Sequence, residues 1–456
     1  RGLGDVYKRQ VCVYTEDGVV VKIEGDPDGP LNKGGVCLKC LSQIQTVYSP
    51  RHVLHPMKRV GDRGQNQWEA ISWDEATDLA GEQIAAAVEK YGPYSYWSAR
   101  GGGGAYIEWE TWGLDYTFGG CNSLASGACQ CAMPRDFVST TSVGFNCCVD
   151  MDNVDRWVGV VDNAELDGVR RDDTERVFVL WGSQPHSSKA AHGGHGLVDA
   201  RSNLGVKSIV VDPYMTAEAA KADVWLPVRP GSDCALMLSW IRYIIDQKAY
   251  DEPFVKHWTN LPFLINPDTR LAYRAEEIWP DYVNPADDPN GVYDTPAYVC
   301  FDERTNSIQP FPFTAPEDSP VDPAIFATAT VNGKEAKTAG QIYWEEAQPW
   351  TLEAAGETCW LQPEKIKEAV DLYISADFGG ISNGVFSDHQ ENSSTAPLGA
   401  LAIDSLLGFI ETPLSAFQNH GPASLAADRP TIRTGVFSTS FERYGLGWTT
   451  GLTKAE

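Results

Sequence analysis

The stretches that decide the fold are RVFVLWGSQP (176–185), VKSIVVDP (206–213) and VWLPVRPGSD (224–233). Each opens on a short apolar run rich in β-branched or aromatic side chains, and Gly, Pro or Asp follows it. Continuous runs of this kind belong to strands covered on both faces, the usual condition of a parallel sheet. Between them, the Gly- and Ala-rich stretch near Ser188–Arg201 and the segment Ala217–Ala222 predict helices. The pattern gives an α/β core whose ligand site is expected beyond the carboxyl ends of the strands. Two endings stand out, Trp181-Gly182-Ser183-Gln184-Pro185 and Val211-Asp212-Pro213.

Upstream, VCVYTEDGVVVKIE (11–24) holds two β-branched runs joined at Asp17-Gly18, a strong hairpin signal. Irregular backbone over GDPDGPLNKGG (25–35) leads into Cys37-Leu38-Lys39-Cys40. Ser72 and Glu75 form a capping-box pattern, and Ala76, Leu79, Ala80, Ile84, Ala87, Val88 and Tyr91 recur at helical spacing until Gly92-Pro93 stops them. Tyr94–Ser98 reads as a strand entering Gly101–Gly104, a close-approach loop or simply a flexible one. Downstream, Pro262–Trp350 reads as a long insertion with little helix, Pro363–Tyr373 as a helix, Ile374–Phe378 as a short strand opening onto Gly379-Gly380, and Ala396–Leu407 as a helix.

A length of 456 residues fits two or three domains. With 36 Lys and Arg against 62 Asp and Glu, the formal charge of −26 argues against nucleic acid as the main partner. No apolar run approaches the roughly 20 residues that cross a bilayer. No His-Glu-x-x-His, no phosphate loop ending in Gly-Lys-Ser/Thr and no Gly-x-Ser-x-Gly elbow occurs, so hydrolase readings lose their usual anchors. Eleven cysteines are too sparse for a disulfide scaffold, yet Cys37 and Cys40 lie close together and Cys121, Cys129, Cys131, Cys147 and Cys148 crowd one region. Thiolates suit a soft or high-valent metal, and glycine-rich strand ends suit a large phosphate-bearing cofactor.

In order and spacing these segments resemble the molybdopterin oxidoreductases of the dimethyl sulfoxide reductase type, which hold molybdenum or tungsten between two pterin guanine dinucleotides. The resemblance runs through Gly25-Asp26-Pro27-Asp28-Gly29-Pro30, Gly35-Val36-Cys37-Leu38-Lys39, Tyr48-Ser49-Pro50-Arg51, His55-Pro56-Met57-Lys58-Arg59 and Ile71-Ser72-Trp73-Asp74-Glu75-Ala76. It continues through Leu180-Trp181-Gly182-Ser183-Gln184-Pro185, Val210-Val211-Asp212-Pro213 and Ala222-Asp223-Val224-Trp225-Leu226-Pro227-Val228-Arg229-Pro230-Gly231-Ser232-Asp233. It implies a small N-terminal β-rich unit followed by Rossmann-like, mostly parallel sheets with flanking helices, one domain inserted in another. The implied domains are a foreign segment over 1–10, a cluster-type domain over 11–55, a discontinuous pterin-binding domain over 56–140 and 375–456, and an inserted dinucleotide-binding domain over 141–374 carrying the 262–350 insertion. Family catalytic subunits commonly add a C-terminal β-rich domain, so an incomplete catalytic subunit is expected, with export open.

The resemblance also assigns residues. Cys37 matches the last cysteine of a 4Fe-4S motif, against the alternative of a cysteine kept in a cluster-free relative, and Lys39 matches the lysine between cluster and pterin. The metal ligand is expected at Cys131 or Cys129, spacing from Asn122 slightly favouring Cys131, with neither cysteine as the remaining alternative. Gly182, Ser183, Gln184 and Asp212 match positions that approach one dinucleotide, and Arg229, Gly231 and Asp233 match the next loop. The plainer readings are a strand-to-turn ending at Asp212-Pro213 and a helix cap at Asp233. His389 and Gln390 match a region reaching toward metal or pterins, with a solvent-facing loop as the alternative. The implied cofactors are bis-molybdopterin guanine dinucleotide, molybdenum or tungsten, and one 4Fe-4S cluster. Implied partners are a small-molecule substrate and an iron–sulfur electron-transfer subunit, with room for a membrane-anchor subunit. The implied reaction is two-electron oxygen-atom or hydroxyl/hydrogen transfer. Alternatives are a non-redox hydratase or transhydroxylase on the same cofactor and a cofactor-free structural subunit. Asn260–Arg270 resembles branches containing anaerobic reductases and aromatic dehydroxylases.

Overall fold

The computed structural model describes residues 11–28, 34–100, 123–125, 134–135, 138, 142, 175–188, 197–198, 200–202, 205–284, 297–312 and 316–410. The chain divides into two units: Arg1–Asn146 with Pro185–Leu197 and Asn419–Glu456, and Cys147–Gln184 with Val198–Gln418.

In the first unit, strands Val11–Glu16 and Val19–Gly25 pair antiparallel about Asp17-Gly18, as the alternating β-branched pattern predicts. Short helices Leu38–Leu41 and Gln43–Val47 follow, and the Tyr48 hydroxyl accepts the Val20 N–H at 2.7 Å, tying them to the hairpin. The helix Trp73–Tyr91 starts at Ser72, whose hydroxyl accepts the Glu75 N–H at 3.1 Å. The expected second half of the capping box is replaced, because the Glu75 carboxylate instead takes the Lys58 ammonium at 3.2 Å. A strand over Tyr94–Ser98 is also corrected. Pro93 pre-sets a turn, Ser95 donates its hydroxyl to the Gly92 carbonyl at 2.7 Å, and the strand starts later, at Ser98–Arg100, pairing parallel with Ser123–Ala125.

The second unit is built on four strands, β1 (Arg176–Trp181), β2 (Lys207–Val211), β3 (Val224–Leu226) and β4 (Phe378–Asn383). All pair parallel, in the order β4-β1-β2-β3. Every residue of β1 is buried, which is why its sequence shows no polar alternation. One helical expectation changes here. Ala217–Ala222 contracts to a single turn, Ala219–Lys221, because Asp223 must already bond the β2 edge, accepting the Ser208 N–H at 2.7 Å. The helix expected over Ser188–Arg201 falls largely outside the described residues.

The strand expected at Ile374–Phe378 is helical through Ile374, and β4 runs through Gly379 and Gly380 instead. The reason is steric: a Cβ on Gly379 would stand 2.7 Å from both Phe409 and Tyr373, so this strand reaches the sheet only without a side chain there. The insertion also holds more order than its composition suggests. It folds into a hairpin, Val299–Asp302 with Ser307–Pro310, and a three-stranded sheet of Leu264–Ile265, Lys334–Thr338 and Thr328–Val331. It ends in a helix, Ala339–Ala347, capped by Thr338, whose hydroxyl accepts the Gln341 N–H at 3.2 Å.

Four helices complete the second unit's core: α1 (Asp233–Asp246), α2 (Leu352–Cys359), α3 (Pro363–Ile374) and α4 (Thr395–Leu406). From α1, Leu236, Met237, Trp240, Ile241 and Ile244 are buried, and Trp240 lies 5.7 Å from Trp181 and 5.9 Å from Tyr373 between ring centres. Tyr373 donates its hydroxyl to Asp404 at 2.6 Å, and the other carboxylate oxygen accepts the Ile381 N–H of β4 at 3.3 Å. Burial pushes the Asp404 carboxyl up to about 7 against the lowering effect of these two donors. The folded chain therefore keeps a proton on Asp404 to near neutrality, whereas an unfolded Asp loses it near pH 4. The native state binds more protons across that window, so this group's contribution to stability falls as pH rises from about 4 to about 7. Asp404→Asn, of equal size and uncharged, is expected to flatten that decline by roughly 1–3 kcal/mol, read as urea unfolding profiles of variant and parent; parallel profiles would contradict the assignment.

Candidate functional site

The carboxyl ends of β1, β2 and β3 bring together most of the residues singled out in the second unit. β1 ends at Trp181, β2 at Val211, and the Gly182 N–H donates to the Val211 carbonyl at 2.8 Å, carrying the sheet ladder one residue into the loop. Gly182 has φ +57°, and a Cβ there would lie 2.3 Å from the Phe386 ring. On the adjacent strand, Gly384 donates its N–H to the Trp181 carbonyl at 2.9 Å, and a Cβ on it would lie 1.9 Å from the Gly182 oxygen. These two glycines let the loops leaving β1 and β4 press together backbone to backbone.

Asp212 is buried at the end of β2. Its Oδ1 accepts the Tyr214 N–H at 3.2 Å and its Oδ2 the Gln184 amide at 3.4 Å. The Tyr214 hydroxyl donates to the Gln184 oxygen at 3.0 Å, which closes a three-residue ring and orients the amide with its nitrogen toward Asp212. Trp225 donates its indole N–H to the Asp212 carbonyl at 3.0 Å. Burial raises the Asp212 carboxyl above the usual range, Tyr214 and Gln184 pull it back, and Glu218 adds a further upward push. The result is a carboxylate held out of bulk water with long hydrogen bonds and capacity for further donors.

Asp233 opens α1, but the preceding Ser232 occupies the capping position and the Asp233 side chain does something else. Its Oδ1 accepts the Trp181 indole N–H at 2.7 Å, joining the end of β1 to the start of α1. Burial pushes its carboxyl up, opposed by Trp181 and by Gln390. The Gln390 nitrogen is buried without a well-formed hydrogen bond, yet it stands near enough to Asp233 to favour the carboxylate. His389, at the end of the turn Val385–His389, is exposed. Arg229 and Gly231 lie on the loop after β3, where the Arg229 N–H is anchored on the Cys359 carbonyl at 2.9 Å and its side chain is exposed.

Gly182, Gln184, Asp212, Asp233 and Gln390 thus gather at one edge, with Ser183 between the first two. Lys39 and Cys37 belong to the first unit, Lys39 within the helix Leu38–Leu41 and Cys37 at its capping position. Cys129 and Cys131 lie outside the described residues. Among the described residues no three His, Cys, Asp or Glu side chains are grouped to hold a metal ion. Sequence reading missed Tyr214 and Trp225; the available signal was one aromatic directly after the Asp-Pro end of β2 and another inside β3, which periodicity assigns to packing.

A model of the molybdopterin oxidoreductase family matches residues 53–345, and a model of the molybdopterin oxidoreductase Fe4S4 domain matches residues 10–49. Among curated relatives, the putative catalytic subunit of a dimethyl sulfoxide reductase from Halobacterium salinarum is 29% identical over 384 residues, covering 81% of this chain and 42% of that protein. Dopamine dehydroxylase of Eggerthella lenta is 31% identical over 270 residues, 57% of this chain and 23% of that protein. The chain therefore spans less than half the length of these relatives. The solved acetylene hydratase from Pelobacter acetylenicus shares the fold, with a TM-score of 0.57 at 19% identity over 87% of this chain and 41% of that one. The two apposed loops make a local prediction: Gly384→Ala should cost about 3 kcal/mol or more through backbone overlap with Gly182, seen as a lowered urea midpoint, and an unchanged midpoint would show that the loops do not touch.

Proposed function

Because the chain belongs to the molybdopterin oxidoreductase family, we propose that it carries the dinucleotide-holding core of a molybdenum or tungsten oxidoreductase acting on a small molecule. When bound, the bis-pterin guanine dinucleotide and its metal would supply two-electron oxygen-atom or hydroxyl/hydrogen transfer. The observation that carries the reading is the edge formed by Gln184, Asp212 and Tyr214, where a buried carboxylate keeps acceptor capacity for a ligand's donors.

These residues fit one end of such a cofactor. A buried carboxylate with spare acceptor capacity, Asp212, suits a base or sugar that presents paired N–H or O–H donors, as guanine does. Gly231, with φ +81° and nothing within 4 Å of where a Cβ would stand, exposes backbone that no side chain covers, which admits a diphosphate. Arg229 would pair with that diphosphate as a planar, permanently charged donor. Asp233 is held by Trp181 and presents its remaining acceptor capacity near Gln390, which would orient a polar group at the same edge together with His389.

Cys131, or Cys129, would be the protein's thiolate ligand to the metal. Lys39 would stand as a cation beside the pterin, where it favours added electron density. Cys37 would bind an iron–sulfur cluster, but a 4Fe-4S centre takes four thiolates. The segment matched by the Fe4S4 model holds only three cysteines, Cys12, Cys37 and Cys40. No step of the reading therefore passes through a cluster. An iron–sulfur electron-transfer subunit remains the proposed partner, and among the described residues no helix is long and apolar enough to cross a membrane.

The matched relatives bear names that point to different substrates, including a sulfoxide and dopamine, so the proposal commits to the reaction class. The second reading, a hydratase on the same cofactor, shares this site and differs in leaving substrate oxidation level unchanged. The whole protein, purified anaerobically, is expected to release oxidised pterin and GMP on acid treatment and to contain molybdenum or tungsten. Asp212→Ala should lower the GMP yield roughly tenfold or more. Folded parent protein without pterin, or an Asp212→Ala variant with full GMP content, would overturn the reading.

A further inference from the structure

Among the described residues, seven that are not glycine have positive φ, and all but one are Asp, Asn, Lys or Arg. The exception is Trp360, at φ +60° and ψ +34°, the left-handed cap that ends α2. A bulky aromatic is among the least suited residues for this conformation, and glycine is the usual choice at the end of a helix. Nothing in the packing asks for the ring. The turn is secured without it, by the Leu361 N–H donating to the Gly356 carbonyl at 2.9 Å and by burial of the Leu361 side chain. Trp360 itself is 72% exposed.

What the ring does meet is Arg229, whose guanidinium carbon lies 5.2 Å from the ring centre. The main chain of Arg229 is fixed independently. Its N–H is bonded to the carbonyl of Cys359, the residue before Trp360, and its carbonyl accepts both the N–H and the hydroxyl of Ser232, at 3.2 and 2.7 Å. An exposed arginine on such an anchored backbone still has free rotation along its side chain, and that freedom is lost when it grips an anion. A flat aromatic face removes most of it beforehand, because a guanidinium stacks on a ring and keeps its in-plane N–H donors free. A residue kept in strained backbone, exposed, and lying over the cation of the β3 loop has the features of a functional constraint.

We propose that Trp360 is a positioning residue that holds the Arg229 guanidinium ready to clamp a diphosphate group. This rests on the reading of the β3 loop as part of a dinucleotide site. The strained cap is retained for ligand binding rather than for stability, so the two properties should separate on substitution.

The test uses the whole protein freed of cofactor, with guanosine 5′-diphosphate as the probe, measured by calorimetry beside thermal unfolding. The parent should bind the probe, and Arg229→Ala should weaken it. Trp360→Gly should weaken binding roughly two- to fivefold while Tm stays level or rises by a few degrees, since glycine relieves the left-handed strain. Trp360→Phe, which restores a ring face, should recover most of the affinity. If Trp360→Gly binds the probe as the parent does while Arg229→Ala weakens it, the positioning role is overturned and the site reading stands. A Tm lowered by Trp360→Gly would make the ring a packing element and also overturn the inference. If the parent does not bind, or Arg229→Ala has no effect, the reading of this loop fails and takes the inference with it.

Discussion

Strands that run parallel in one sheet must all release their chains at the same edge, and the functional reading of this protein depends on that constraint. β1, β2 and β3 end within one ladder of hydrogen bonds, so Gln184, Asp212 and Arg229, 45 residues apart from first to last, leave the sheet side by side. An antiparallel arrangement would have put alternate endings on opposite edges and scattered them. β4 adds a fourth ending on the far side of β1, which brings Gly384 and the Gln390 loop to the same edge. The loops therefore need no long-range guidance of their own to converge.

The core and the site share residues, and this couples them. Trp181 is the last residue of β1, packs on Trp240 inside the core, and donates its indole N–H to Asp233 at the site. Tyr373 continues the same aromatic group and hands a hydrogen bond to Asp404, which in turn holds the β4 backbone through Ile381. A buried carboxyl at each end of a packed aromatic row is costly unless its donors are in place, so the geometry of the row fixes the end of β1 and the middle of β4. The strain at the site is local. Gly182, Gly384 and Trp360 depart from ordinary backbone or packing, while the strands beneath them are regular.

Much of this was legible in the amino-acid order. Val177–Trp181 and Val206–Val211 announce buried parallel strands because both faces are apolar, and Asp17-Gly18 announces its hairpin because two residues suffice to reverse the chain. Family membership also followed from ordered segments whose spacing survives along the chain, and the matching models bear it out. What escaped was decided by contacts distant in sequence. Gly379-Gly380 looks like a loop until Tyr373 and Phe409 are seen to occupy the space of a side chain. The helix Ala339–Ala347 sat in a segment dominated by Pro, Asp and Asn, and its Thr338 cap was the missed signal. Tyr214 gains meaning only from Gln184, 30 residues earlier, and Trp360 only from Arg229.

The most direct measurement is an anaerobic structure of the whole protein with its native cofactors. The account predicts a guanine or ribose within hydrogen-bond distance of the Asp212 carboxylate and a diphosphate beside Gly231 and Arg229, at the carboxyl edge of the four-stranded sheet. A dinucleotide seated away from that edge, with Asp212 still bonded only to Tyr214 and Gln184, would contradict it.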